Sequence, residues 1–164
     1  METKYQKKPE PARSVWAGVL LGVGMMAAID EIVFHQLLGW HHFYDLATPE
    51  IGLLTDGLLH AAELMAIVAG FFMLADLRRK NALVSIRTWA GFFIGAGFFQ
   101  VLDGIVNHKV LRLHQIRYNV DLLPYDLAWN IFGLALLITG LLLWLTARAR
   151  EKRNGLATED SEPV

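Results

Sequence analysis

Apolar residues fall in four long blocks along the chain and do not alternate with polar residues. The blocks run approximately over Ser14–Leu38, Ile51–Leu77, Thr88–Val110 and Leu122–Ala147. Each is long enough to cross a bilayer, which takes about 20 apolar residues at about 1.5 Å per residue. The pattern therefore predicts an all-α protein, a bundle of four transmembrane helices surrounded by lipid.

The first block follows a basic arm over residues 1–13 and in this respect looks like a secretory signal. It is too long for the apolar part of such a signal, and it offers no good small-residue cleavage site. We therefore expect a retained helix. The polar tail over residues 149–164 is expected to be disordered.

Lys and Arg in the connections predict the orientation. The N-terminal arm, the second connection and the C-terminal tail each hold four of these residues, and the first connection holds none. Only Lys109, Arg112 and Arg117 lie in or beside the third connection. We expect an inner-membrane protein with both termini in the cytoplasm and the first and third connections outside.

The first and third blocks carry related sequences. Residues 16–41 and 89–114 align without a gap, with 11 of 26 positions identical. The identical pairs include polar ones that chance pairing of apolar helices would not supply: Asp30/Asp103, His35/His108 and His41/His114. The second and fourth blocks align with a three-residue deletion, which pairs Asp56 with Asp126 and His60 with Asn130.

This pattern predicts a duplicated helical hairpin, with repeat 1 over about residues 14–77 and repeat 2 over about 88–147. The first and third helices run in the same direction. The repeat is therefore parallel, with a pseudo-twofold axis along the membrane normal.

Ionisable residues concentrate in the outward half of the predicted bundle. Such groups cost about 2.5–3.5 kcal/mol each inside a membrane on the insertion scale, and they usually face a partner or a cavity. A cluster of carboxylates and imidazoles favours a shared divalent or transition metal. Nitrogen and oxygen ligands without sulfur suit zinc, iron, copper or manganese, and the absence of cysteine excludes a thiolate site.

Helical rise sorts the candidate ligands by depth. At about 1.5 Å per residue, a shallow layer about 5–8 Å deep holds two His and two Asp: His35, His108, Asp56 and Asp126. A layer about 10–14 Å deep is asymmetric between the repeats: Asp30, Asp103, His60 and Asn130. Three histidines fall at or beyond the helix ends and are candidate outer ligands: His41, His42 and His114.

Spacing along the helices favours some of these assignments over others. Asp56, His60 and Glu63 share one helix face, which favours His60 as a ligand between two carboxylates. Asp30 and His35 are five residues apart, about 140° around a regular helix. One site can take both only if the helix distorts there.

The motif Asp30-x-Ile-Val-x-His35, repeated at Asp103 and His108, resembles an uncharacterised bacterial family of predicted four-span membrane proteins, a domain of unknown function. Asp56-Gly-x-x-His60 and Asp126-Leu-Ala match its other landmarks. The resemblance covers about residues 14–148 and implies four spans but no activity. The chain departs from the family pattern at three positions: Glu31, Lys109 and Gln115.

Two classes of function are consistent with these residues. The first is a membrane metalloprotein whose shallow layer holds a cation, with Asp30, Asp103 and His60 orienting the ligands or binding a second ion. If it is an enzyme, the metal would activate water or oxygen, with Glu63 or Asp30 as the base.

The second class is a protein that handles metal ions or protons, or that delivers metal to a respiratory complex. A bis-His haem b protein and a hydrogen-bonded network without metal are further alternatives. Candidate partners are a second copy of the chain or another membrane subunit. The net charge of −1 gives no reason to expect nucleic acid.

Overall fold

A computed structural model describes residues 8–159, and side-chain surroundings over residues 8–153. The elements are α1 (Pro11–Asp30), the π-helical segment π1 (Glu31–Leu37), α2 (Pro49–Arg79), α3 (Ser85–Leu102), the π-helical segment π2 (Asp103–Val110) and α4 (Leu122–Glu159). Residues 8–159 contain no strand. The prediction of an all-α protein with four helices able to span a membrane is confirmed.

The bounds differ from the predicted ones mainly at the two ends of the chain. The α4 helix continues to Glu159, so the tail predicted from residue 149 lies partly in a helix. Residues 1–7 of the basic arm and residues 160–164 of the tail lie outside the described residues.

The helices α1 and α3 form the centre of the bundle, with α2 packed on α1 and α4 packed on α3. The central pair packs through glycines. A Cβ atom added to Gly22 would lie 2.0 Å from the Phe92 carbonyl oxygen, and one added to Gly95 would lie 2.4 Å from the Val19 carbonyl oxygen. The G-x-x-x-G spacing thus lets the two backbones come into direct contact in lipid.

Both central helices change from α to π geometry as they approach the polar end of the bundle. The Leu38 N–H donates to the Val33 carbonyl at 2.9 Å, and the Leu111 N–H donates to the Val106 carbonyl at 2.7 Å. This five-residue hydrogen-bond pattern brings residues five apart onto one face, and single π turns are frequent at functional sites. Asp30 and His35, which are five residues apart, therefore lie on the same face of the helix. The helix thus has the distortion that a shared site requires.

A left-handed residue ends each π segment and turns the chain back over the bundle. Gly39 has φ +55° and Arg112 has φ +52°. Glycine adopts this conformation without a steric penalty, whereas Arg112 is strained. The two connections then pair, since the Asp45 N–H donates to the Leu113 carbonyl at 3.0 Å.

Candidate metal centre

Four buried histidine rings meet where the two π segments and the two returning connections come together. They are His35, His41, His108 and His114, each no more than 5% exposed. His41 and His114 stack, with ring centroids 4.5 Å apart and planes 5° apart. Each of these two rings also contacts a histidine of the π segment that precedes it in the chain. The ring centroids of His35 and His41 are 4.5 Å apart, and those of His108 and His114 are 4.7 Å apart.

Two of these rings are held by backbone carbonyls of the opposite connection. The Nδ1 atom of His41 donates to the Ile116 carbonyl at 3.0 Å, and Nδ1 of His114 donates to the Phe43 carbonyl at 2.9 Å. A ring that donates from Nδ1 while neutral carries its lone pair on Nε2. Both Nε2 atoms are buried without a hydrogen-bond partner in the described part of the chain.

Burial also keeps the His41 imidazole neutral. Desolvation lowers the pKa of His41 to about 2, and the neighbouring imidazoles, that of His114 first, lower it further. A neutral imidazole held by an Nδ1–H bond to a carbonyl is the form in which histidine binds metals.

Two buried aspartates flank the histidines. Asp103 Oδ2 lies 3.1 Å from His108 Nε2, and Asp103 Oδ1 lies 3.6 Å from His114 Nε2. Asp30 Oδ2 lies 3.7 Å from His35 Nε2. Among the described residues, His35 Nε2 and Asp30 Oδ1 have no hydrogen-bond partner, and the close contact between Asp103 Oδ2 and His108 Nε2 does not have hydrogen-bond geometry. Buried polar atoms left in this state are costly unless something else satisfies them.

These six residues form the His4Asp2 cluster: His35, His41, His108, His114, Asp30 and Asp103. Two sets of three within it offer ligand atoms that all lie within 4.8 Å of one another, namely Asp30/His35/His41 and His41/His108/His114. His41 belongs to both sets. Three nitrogen or oxygen atoms at such distances can close around one ion after small side-chain movements.

Carboxylates outside the cluster orient His35 from its other nitrogen. Nδ1 of His35 lies 2.9 Å from Glu31 Oε2 and 3.0 Å from Asp56 Oδ1. Asp56 is itself held by the Phe43 N–H at 2.7 Å and by Nδ1 of His42 at 2.6 Å. Glu31, His35 and Asp56 also form a third set of nearby ligand atoms. A carboxylate on the second nitrogen fixes the ring and raises its basicity toward a metal.

The second half of the chain does not reproduce this support. Gly104 stands where Glu31 does, and Asp126 pairs with the Lys109 ammonium at 2.5 Å. Nδ1 of His108 has no partner among residues 8–153. The shallow layer of the sequence analysis is thus divided: its two histidines enter the cluster, whereas Asp56 supports one of them and Asp126 lies apart.

His60 is partly exposed and contacts a carboxylate that is not part of the cluster. Its side chain is 54% exposed, and Nδ1 is 2.5 Å from Oε1 of the buried Glu63. His60 and Glu63 belong to none of the three ligand sets found among the described residues. His42 is partly exposed and contacts Asp56, so its role is to hold that carboxylate.

Sequence reasoning placed His41 and His114 outside the helices and gave them secondary importance. The sequence does contain their signal, because both are identical positions of the repeat. What depth counting cannot show is the left-handed turn after each π segment, which returns these histidines to the helix ends.

The family model described as a predicted membrane protein, DUF2243, matches residues 17–147. The chain belongs to this family. Comparison with curated proteins and with solved structures gave no match. As a DUF2243 protein with four long apolar helices, it is a multi-pass membrane protein, and the matched range contains the whole His4Asp2 cluster.

Proposed function

We propose that this DUF2243 protein is a membrane metalloprotein that binds a transition metal in the His4Asp2 cluster. The observation that carries the proposal is the convergence of four buried imidazoles whose Nε2 atoms have no partner in the described residues. A cation coordinated by these atoms would remove the cost of burying them, and it would balance the charge of Asp30 and Asp103.

The donor set limits the choice of metal. Four nitrogens and two carboxylates, with no cysteine in the chain, suit zinc, iron, copper(II) or manganese better than calcium or magnesium, which prefer oxygen ligands. The remaining predicted ligands take other roles in this proposal. Asp56 orients His35, and Asp126 and His60 lie outside the coordination sphere.

We further propose that the cluster lies on the axis of a duplicated hairpin. Two pairs of contacts match under the repeat alignment: the Gly22–Phe92 and Gly95–Val19 approaches, and the His41–Ile116 and His114–Phe43 hydrogen bonds. The left-handed Gly39 and Arg112 also occupy aligned positions. Independent sequences have no reason to match at these positions. The axis would pass between the stacked rings of His41 and His114.

The same proposal sets the cluster near the extracytoplasmic face of the inner membrane, with both termini in the cytoplasm. The distribution of Lys and Arg among the connections supports this orientation. If the protein is an enzyme, the cation would activate water or oxygen. Glu63, the candidate base, is buried and its Oε2 has no partner in the described part of the chain, but it belongs to none of the three ligand sets and would have to act on the bound water from outside the cluster.

The alternatives are less consistent with the geometry. In a hydrogen-bonded network without metal, each histidine would donate to a carboxylate. His35 does so to Asp56, but His41 and His114 donate from Nδ1 to backbone carbonyls, and the buried Nε2 of His41 has no hydrogen-bond partner among residues 8–153. A bis-His haem needs a porphyrin between two rings, and the stacked His41 and His114 leave no space for one. Metal delivery to a membrane complex would use the same cluster and differ in how readily the metal leaves.

Elemental analysis of the detergent-purified protein tests the proposal. The cells would be grown with zinc, iron, copper and manganese, and the protein kept away from chelators. We expect at least one equivalent of one of these metals per chain, lost in the His41→Ala/His114→Ala double variant. Less than half an equivalent of every transition metal in the wild-type protein would contradict the proposal.

A further inference from the structure

Beside the His4Asp2 cluster, an aromatic cleft of about 340 Å³ opens between α1, π1, α3, α4 and the first and third connections. Its aromatic lining is Phe34, Trp40, Tyr125, Trp129 and Phe132. It follows α4 from the outer end down to Phe132, ten residues into the helix, or about 15 Å. Its volume lies within the range of about 300–1,000 Å³ typical of small-molecule sites.

One polar side chain lines this apolar cleft and lacks a partner. Gln100 is 2% exposed, and its Oε1 atom accepts no hydrogen bond within the described part of the chain. Its amide nitrogen is already engaged with the Trp129 carbonyl at 3.4 Å. The free group at the buried wall is therefore an acceptor, and it would be satisfied by a ligand that donates a hydroxyl.

The cleft is confined to one side of the molecule. At the positions that the repeat alignment pairs with Phe34, Trp40 and Trp129, the chain has Asn107, Leu113 and Leu59. Gln100 itself aligns with Ala27. A surface needed only for packing in lipid has no reason to gather aromatic rings and a buried amide on one side alone.

The rim of the cleft carries a fixed cation. The Arg117 guanidinium lies 4.8 Å from the centre of the Trp40 ring and donates to the Tyr125 hydroxyl at 2.7 Å. Arg117 thereby holds two aromatic walls in place at the outer end. At the other wall, the Trp129 ring lies 6.1 Å from the ring of His108, a member of the cluster.

We propose that the cleft binds a lipid-soluble phenol, a flat aromatic head with an apolar chain, that donates its hydroxyl to Gln100 Oε1. The five aromatic side chains offer ring-to-ring contacts to the head. Ile29 and Phe132 of the lining are exposed on helices able to span the membrane, so the chain of the ligand can leave the cleft toward lipid. This site does not depend on the metal proposal, because none of its lining residues is a cluster ligand.

Photolabelling tests the site without any assumption about activity. The probe is a decyl-substituted 1,4-hydroquinone with a diazirine on its alkyl chain, applied to the protein in lipid nanodiscs. Two competitors have the same apolar body: the unlabelled decyl hydroquinone and its dimethyl ether, which cannot donate. We expect labelling of α4 near Phe132, with the hydroquinone competing at a concentration two- to tenfold lower than the ether, about the effect of one hydrogen bond.

Two variants make the test specific. Gln100→Met keeps the side-chain volume and should abolish the difference between the competitors. Ala128→Trp should fill the cleft and reduce labelling at least tenfold, whereas Leu58→Trp, at the aligned and exposed position of α2, should leave it unchanged. Equal competition by the two compounds would show that any lipid chain fills the cleft, and labelling that survives Ala128→Trp would place the ligand elsewhere. Either result overturns the proposal.

Discussion

Replacing one of two adjacent histidines should separate a metal ligand from a supporting residue. His41 belongs to two of the three sets of nearby ligand atoms. His41→Ala therefore leaves both of these sets with two of their three donors. Loss of an outer partner of a metal ligand typically costs 10–100-fold in affinity. We expect a direct ligand shared by both sets to cost at least about 100-fold, equivalent to about 2.7 kcal/mol.

His42→Ala is the matched control, because it removes the same side chain one residue away. His42 donates a hydrogen bond to Asp56. When His42 is removed, Asp56 still accepts hydrogen bonds from the Phe43 N–H and from His35. The loss of one hydrogen bond at this distance from the ion should change affinity by less than about tenfold.

The assay is competition with a chelator of known affinity, followed by elemental analysis of the protein. Size-exclusion chromatography and circular dichroism would show that both variants remain folded. Equal metal loss in the two variants, or full retention in His41→Ala, would refute the assignment of His41 as a ligand. A further variant, His114→Ala, should match His41→Ala, since its ring is held by the equivalent carbonyl.

Three other predictions follow from the same structure. His60→Asn should keep its metal, because His60 contacts Glu63 outside the cluster; a drop in stoichiometry would bring His60 back as a ligand. Gly22→Ala should lower the free energy of unfolding by about 1–3 kcal/mol, since its Cβ would overlap the Phe92 backbone, whereas Gly57→Ala, with open space around it, should not lower it. Because the chain has no cysteine, single cysteines report topology by impermeant labelling: Asp45→Cys should react from outside and Asn81→Cys only after permeabilisation, and the reverse would invert the orientation.

The number of helices and their membrane-spanning parts could be predicted from the sequence because a bilayer sets a simple requirement for apolar length. The sequence also identifies four candidate ligands, because ionisable side chains inside a membrane are costly and usually have a partner or a function: Asp30, His35, Asp103 and His108. Which of these residues meet in one site was harder to predict from the sequence. Depth along a straight helix separates Asp30 from His35, and only the π segment, whose hydrogen bonds span five residues, brings them onto one face.

The expectation that His60 is a ligand depends on packing that spacing along the helix does not determine. Its spacing from Asp56 and Glu63 puts all three near one helix face, which correctly describes α2 itself. The direction of that face depends on how α2 packs against α1, and no pattern within α2 fixes it. The packing buries Asp56 and Glu63 and leaves the His60 imidazole 54% exposed at the edge of the face.

Departures from symmetry between the halves carry the functional detail in the proposed duplication. The aligned residues supply an equal set of donors to each half: one Asp and two His. Within the described residues, His35 alone of the four has carboxylates at its second nitrogen, which makes it the more basic ligand, whereas His108 lies against Trp129 and the aromatic cleft. If two ions bind, the one at Asp30, His35 and His41 should therefore be held more tightly. A chelator titration that removes both ions in a single step of equal affinity would show that Glu31 and Asp56 do not influence the metal.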